Sequence, residues 1–295
     1  MTRSHCGKKG TTLIKGDAQV RLKLWGELLV TMRWLFAVVF GLWLGLTPIA
    51  LSPALANTPA VSQTDVSALR KQAFDLTQKG KFDLAEVVWS QLIDVLPDEP
   101  ALWSNRGNVR VSQNKIDTAL ADYDRAISLA PLRPDAYLNR GAAYEAIGNW
   151  QKAIQDYDRV LKLSPDDPAA YNNRGNAMGG QGDWDAALKD YEKSITIQPS
   201  FSLGYANYAI ALFEVGDQTK SLQVLKSLAR KYPNYADVRA ALTVALWETG
   251  NRGEAESQWV AARGLDRRYT DLDWVQNVRR WPPSLVIGLE HFLNL

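Results

Sequence analysis

Cysteine and histidine are nearly missing from this chain, with one Cys and two His in 295 residues. Zinc sites, Cys–His nucleophile pairs and disulfide frameworks need more of them, so all three are excluded. Charge of one sign is lacking too: 34 Lys and Arg stand against 32 Asp and Glu. Residues 1–56 carry seven of the basic residues and two of the acids, which leaves the remainder at a net charge of −3. A weakly acidic surface repels phosphate backbones, so nucleic acid is not an expected partner. There is no Gly-rich phosphate loop, no cofactor is implied, and an enzyme is not expected. What is present is a folded composition. Apolar residues make up 46%, with 11 Trp and 11 Tyr, too apolar and aromatic for a disordered chain.

Residues 34–46, WLFAVVFGLWLGL, are uncharged and follow Arg33. Pro48 and Pro53 break the run, and Ala54-Leu55-Ala56 is the small-x-small pattern read by a signal peptidase. Basic, apolar and small segments in that order form a Sec-type secretory signal, with cleavage expected before Asn57. The apolar run is shorter than the roughly 20 residues of a membrane-spanning helix. The uncharged stretch continues to Thr64, so an uncleaved membrane anchor is the alternative. Residues 1–33 are a basic leader of unusual length, and Met32 is the expected true start. A chain cleaved at Asn57 would carry no cysteine, which suits an oxidising compartment.

The rest is periodic. Gly80, Gly148, Gly182, Gly216 and Gly250 lie on one 34-residue grid, with Asn114 at the missing node. Pro97, Pro131, Pro165, Pro199 and Pro233 share the period, as do Ala85, Ala119, Ala153 and Ala187, and Trp103, Tyr137, Tyr171 and Tyr205. The grid defines six units, 66–99, 100–133, 134–167, 168–201, 202–235 and 236–269. Apolar residues recur at i, i+4 and i+7 twice in each unit, as for Tyr137, Gly141 and Tyr144 and then Ala153, Tyr157 and Val160, which predicts two amphipathic helices. Pro100, Pro134 and Pro168 sit at expected first helical positions. The grid glycines sit where a left-handed residue ends the first helix of a unit. The fold class is therefore all-α, a repeat solenoid.

These residues resemble the tetratricopeptide repeat: an aromatic at the fourth position of 34, Gly or Ala at the eighth, Ala at the twentieth and Pro at the thirty-second. The resemblance covers 66–269 and is closest in units two to four. It implies a right-handed α-solenoid whose first helices line a concave, peptide- or protein-binding groove. Residues 270–295 are expected to cap the array, with Asp271–Trp281 as a further first-type helix and Ser284 capping a final one. The stretch RRWPPSLVIGLEHF is similar to the tail of tetratricopeptide repeat proteins exported to the thylakoid lumen in cyanobacteria and plastids. Periplasm or thylakoid lumen is the expected location, with membrane contact only if the leader is uncleaved. The domain plan is leader 1–33, signal 34–56, linker 57–65, repeats 66–269 and cap 270–295.

The seventh position is Arg106, Arg140 and Arg174 in units two to four, and the twenty-third is Asp122, Asp156 and Asp190. Arg and Asp occur together or not at all, which predicts a bridge between the two helices of each unit. A row of free arginines for an acidic ligand is the competing reading.

The resemblance puts positions 2, 5, 9, 12 and 13 of each first helix on the groove, with position 6 beside them. Position 6 is Asn105, Asn139, Asn173 and Asn207. Such a ladder either bonds the backbone of an extended peptide or ties adjacent units together. The cations of the family's carboxylate clamp are absent. Units two to four offer a polar lining, including Ser104, Asn108, Asp135 and Glu145. Units five and six offer Leu203, Ile210, Phe213, Val244 and Trp247. A partner covers these apolar groups, or the C-terminal helices fold back over them; the first is the leading expectation. Gly179 and Gly180 suggest a soft point between the two halves. The expected function is a non-catalytic scaffold for a protein or extended peptide, acting in assembly of an envelope or thylakoid complex. A membrane-anchored assembly factor is the alternative.

Overall fold

The structure, a computed structural model, describes residues 63–294. The expected leader, the signal and residues 57–62 of the linker lie outside the described residues. Twelve helices follow one another in pairs: α1 Gln63–Gln78 and α2 Phe82–Val95, α3 Pro100–Ser112 and α4 Ile116–Leu129, α5 Pro134–Ala146 and α6 Trp150–Leu163, α7 Pro168–Gly180 and α8 Trp184–Ile197, α9 Ser202–Glu214 and α10 Gln218–Lys231, α11 Ala236–Glu248 and α12 Arg252–Leu265. Each helix packs on its pair partner and on the next helix in the chain. First helices also touch across units, α3 on α5, α5 on α7, α7 on α9 and α9 on α11. That is an α-solenoid.

Local chemistry explains the boundaries. α3, α5 and α7 begin at Pro100, Pro134 and Pro168, where the missing N–H would be unpaired anyway. Asp167, Asp183 and Asp217 cap α7, α8 and α10 by accepting from Ala170, Ala186 and Lys220 N–H at 2.9, 3.0 and 3.1 Å. The turn within every unit contains a left-handed residue, with φ of 59° at Asn114 and 67–91° at the grid glycines. Asparagine tolerates that region better than other side chains, which is why it replaces glycine at that node.

Packing explains the eighth position. In units two to four the ring of Tyr123, Tyr157 or Tyr191 lies directly over Gly107, Gly141 or Gly175. A Cβ at Gly141 would stand 2.6 Å from Tyr157 Cε1. Gly179 and Gly180 have the same use. Their Cβ positions are filled by the rings of Trp184 and Trp150, at 2.8 and 2.7 Å, so the pair seats two indoles.

The arginines bridge within and between units. Arg140 Nε and Nη2 donate to the two Asp156 oxygens at 2.8 and 2.6 Å, and Nη1 donates to Asp124 of the preceding unit at 2.6 Å. Arg174 repeats this with Asp190 at 2.7 and 2.8 Å and Asp158 at 2.7 Å. Arg106 holds Asp122 at 3.0 and 2.7 Å and reaches Ser90 of unit one at 3.1 Å. The bond to Asp156 keeps the Arg140 guanidinium charged well beyond its ordinary range. Its donors are spent on the buried Asp156 and the exposed Asp124, which leaves no free arginine stripe at the seventh position of units two to four. The inter-unit half of the arrangement was not read from the sequence, although Asp124 and Asp158 share the twenty-fifth position.

The chain after unit six departs from the expectation. Residues 267–270 form a 3₁₀ turn and Trp274–Val278 a single wide π turn, in place of a seventh first-type helix through Trp281. Arg280 takes a positive φ of 61°, which ends the helical path. The last helix, α13 Pro283–Leu293, starts on its proline. Ser284 does not cap it. Instead the Ser284 N–H donates to the Glu214 carboxylate of α9 at 3.0 Å, and its hydroxyl bonds the same oxygen.

Helix propensity alone makes Gly141→Ala stabilising by about 1 kcal/mol. The contact with Tyr157 reverses the sign, because overpacking a tight site costs about 1–3 kcal/mol. Denaturant melts should show Gly141→Ala less stable than the parent, and the Gly141→Ala/Tyr157→Leu pair should recover much of the loss.

Candidate functional site

The concave face is built from α3, α5, α7, α9 and α11, and the C-terminal segment turns back across it. Asp237, in the first turn of α11, makes the turn possible. Its buried carboxylate accepts from Tyr269 Oη at 2.7 Å, Trp281 Nε1 at 2.9 Å and Arg279 Nε at 2.8 Å, with a second bond from Arg279 Nη2. A buried carboxylate is tolerated only with donors of this kind. They come from both sides of the irregular stretch, so Asp237 fixes the course of residues 269–281. Arg280 then reaches unit three. Its guanidinium donates to Glu145 Oε1 at 3.5 Å and to the Ala146 carbonyl at 3.2 Å, and lies 5.0 Å over the Trp150 ring.

Residues 269–281 thus form a strap across the groove, and beyond it α13 packs on α11 and α9. A Cβ at Gly288 would lie 2.4 Å from Val244 Cγ1, so only glycine lets the helices meet there. Phe292 stands edge-on between Trp247 and Trp259, at 5.4 and 5.6 Å. Ile210, Phe213 and Val244 share one buried cluster with Leu285, Leu289 and Phe292 of α13, and Trp247 packs against it half-buried. Each such side chain contributes about 1.5–3 kcal/mol on burial. The expectation that these four form an open binding face is therefore corrected, because the protein's own last helix lies there. Leu203 differs, being 41% exposed at the rim of the remaining cavity.

The asparagines divide in the same way. Asn207 is buried and donates to Asn172 at 2.9 Å and Asn176 at 3.2 Å; Asn172 donates to Asn173 at 3.2 Å. Asn207 and Asn173 thus belong to a network joining units four and five. Asn105 and Asn139 instead line a cleft of about 200 Å³ between units two and three, with Ser104, Arg133 and Asp135. Between the strap and the floor of units three to five lies a larger cavity, of about 970 Å³. Glu145, Asn176, Leu203 and Asn207 form part of its floor, and Gln276, Asn277 and Arg280 part of its roof.

Glu145, read from the sequence only as a polar lining residue, has an unusual setting. Burial pushes its carboxyl pKa up, against the pull of the Tyr157 hydroxyl, Arg280 and Asn176. Tyr157 donates to Oε2 at 3.0 Å. Arg280 and Trp150 escaped the sequence reading, and although Asp237 and Glu214 fall on groove positions 2 and 13 of their units, nothing in the repeat marks the C-terminal segment as their partner.

Three family models match in succession, all described as tetratricopeptide repeat: residues 104–168, 168–201 and 201–235. The chain is a tetratricopeptide repeat protein. Solved structures of this type share its fold. A tetratricopeptide repeat protein from Parabacteroides merdae superposes with a TM-score of 0.58 at 19% identity, covering 78% of this chain and 85% of that one. A thermophilic one, TTC0263 of Thermus thermophilus, gives 0.53 at 14%, covering 62% and 99%. MamA from residue 41 onward, of Desulfovibrio magneticus, gives 0.51 at 15%, covering 56% and 93%. No curated protein sequence matches the chain.

The Glu145 setting carries a sign. A carboxyl whose folded pKa lies above its ordinary 4.5 adds stability below that ordinary value, and loses it as pH rises through the raised one. Glu145→Gln should flatten this part of the stability profile of the repeat protein and make it more stable near neutrality. Denaturant melts from about pH 4 to about pH 8 check this; a less stable Gln variant at pH 7 would contradict it.

Proposed function

We propose that this tetratricopeptide repeat protein is a non-catalytic scaffold that takes an extended segment of a partner protein along its concave face. The observation that carries this is the uncovered cleft of units two and three. There Ser104, Asn105, Asp135 and Asn139 line one polar trough, while the apolar end of the same face is occupied by α13. Amides spaced one repeat apart match the needs of an extended backbone, which offers N–H and C=O groups with little regard to side chain. The fold supports protein binding as a class. The assembly of an envelope or thylakoid complex is our reading of its setting, supported by the leader: Arg33, the apolar run 34–46 and Ala54-Leu55-Ala56. In that reading the scaffold works outside the cytoplasm, in periplasm or a thylakoid lumen.

Two measurements test the proposal. Each amide bond to a partner is worth about 1 kcal/mol, so Asn105→Ala/Asn139→Ala should weaken a cross-linked and identified partner about tenfold or more, with thermal melts unchanged. Equal affinity would remove the trough from the binding site. N-terminal sequencing of the native protein should begin at Asn57; a chain retaining residues 34–56 would instead favour the membrane-anchored form.

A further inference from the structure

We infer that the strapped half of the groove is a seat for an arginine of the partner's extended segment, and that Arg280 occupies it as a stand-in. This rests on the groove-binding reading above and specifies the partner's chemistry.

The seat is made by groove residues and does not depend on the strap. Glu145 lies in the last turn of α5, with Oε2 fixed by the Tyr157 hydroxyl at 3.0 Å and Oε1 facing the cavity. Beside it is the carbonyl of Ala146, the last residue of α5, at the negative end of the helix dipole, where cations are favoured. The third wall is the Trp150 ring. Its position depends on Gly180, where a Cβ would stand 2.7 Å from the ring. A carboxylate, a carbonyl and an indole face at one point match a planar, multi-donor guanidinium better than a lysine ammonium. The seat also has a cost: burial raises the Glu145 pKa, and a group held against its own stability is what a binding site shows.

Arg280 fits the seat poorly. Its one bond to the carboxylate is long, at 3.5 Å, and its side chain remains 36% exposed. Its backbone holds a φ of 61°, a region that costs a non-glycine residue about 1–2 kcal/mol. Its neighbour Arg279 shows a full fit in the same segment, gripping Asp237 through two nitrogens. Arg140 and Arg174 bind their carboxylates at 2.6–2.8 Å.

Room and charge agree. The cavity of about 970 Å³ is at the upper end for ligand sites. Asn176 and Gln181 line its floor and Gln276 and Asn277 its roof, so polar amides stand on both sides of the space. With Arg280 displaced, Glu145 and Glu290 face this space, and the other lining cation, Arg279, stays bound to Asp237. The emptied cavity is thus acidic. Among the described residues lining it, no cation is then left free for a carboxylate, and the cavity selects a basic segment.

The probe is a synthetic octapeptide of residues 276–283, QNVRRWPP, and the same peptide with its second arginine replaced by alanine. Calorimetry uses the full chain, its Arg280→Ala variant, and Arg280→Ala combined with Glu145→Gln or Trp150→Leu. The Arg280→Ala chain should bind the arginine peptide about tenfold or more tightly than the parent, and about tenfold more tightly than the alanine peptide. Both second substitutions should remove the gain. Glu145→Gln is expected to fold better than the parent, so its loss of binding cannot be attributed to misfolding; melts check this. Equal binding of the two peptides, or no binding to Arg280→Ala, overturns the arginine seat. If the Asn105/Asn139 trough still governs partner binding in that case, the scaffold reading stands and only this inference fails.

Discussion

A buried carboxylate with four donor contacts organises the C-terminal half of this protein. A solenoid has no built-in end, and each unit leaves an apolar face for the next to cover. After unit six there is no next unit. Asp237 draws in Tyr269, Arg279 and Trp281 and thereby turns the chain sideways, into the concave face. Everything further along depends on that turn: the reach of Arg280 to unit three, the capping of α13 by Glu214, and the close crossing of Gly288 over Val244. Hydrophobic burial supplies most of the energy, but it has no direction. The hydrogen bonds to Asp237 decide where that burial happens.

The consequence is a groove with two halves of different character. Units two and three keep an open polar trough. Units five and six close on α13 and contribute to a continuous core with it. Between them the strap roofs a cavity whose walls are amides, two carboxylates and indole rings. The arginine bridges keep the scaffold beneath this stiff, since Arg140 and Arg174 each bind carboxylates in two successive units. A groove that must present side chains in register profits from such cross-links, and their charges are spent internally.

Much of the repeat architecture was legible, because repetition exposes it. The grid of Gly80, Gly148 and Asn114 marks left-handed turn residues, and the shared occurrence of Arg140 with Asp156 marks a contact sixteen residues apart. Legibility ended where repetition did. Nothing near Arg280 says that it meets Glu145, 135 residues earlier, because that meeting depends on a positive φ at Arg280 and on Asp237, which occupies a different position in the repeat. Ser284 looked like a helix cap because serine is a good one; tertiary packing gave its hydroxyl to Glu214 instead. The apolar residues Phe213 and Val244 were visible as a patch needing cover. Periodicity shows that need and leaves open whether a partner or the chain itself meets it.

The central claim is that the segment after unit six lies across the groove. Spin labels at two exposed positions, Val278 in the strap and Ile147 at the end of α5, report on it directly in a chain whose Cys6 is replaced by Ser. Pulsed electron resonance should give one short, narrow distance distribution for the native protein, and Asp237→Asn should broaden it toward longer distances. A broad, long distribution in the native protein would contradict the account, since the C-terminal segment would then not be held over unit three.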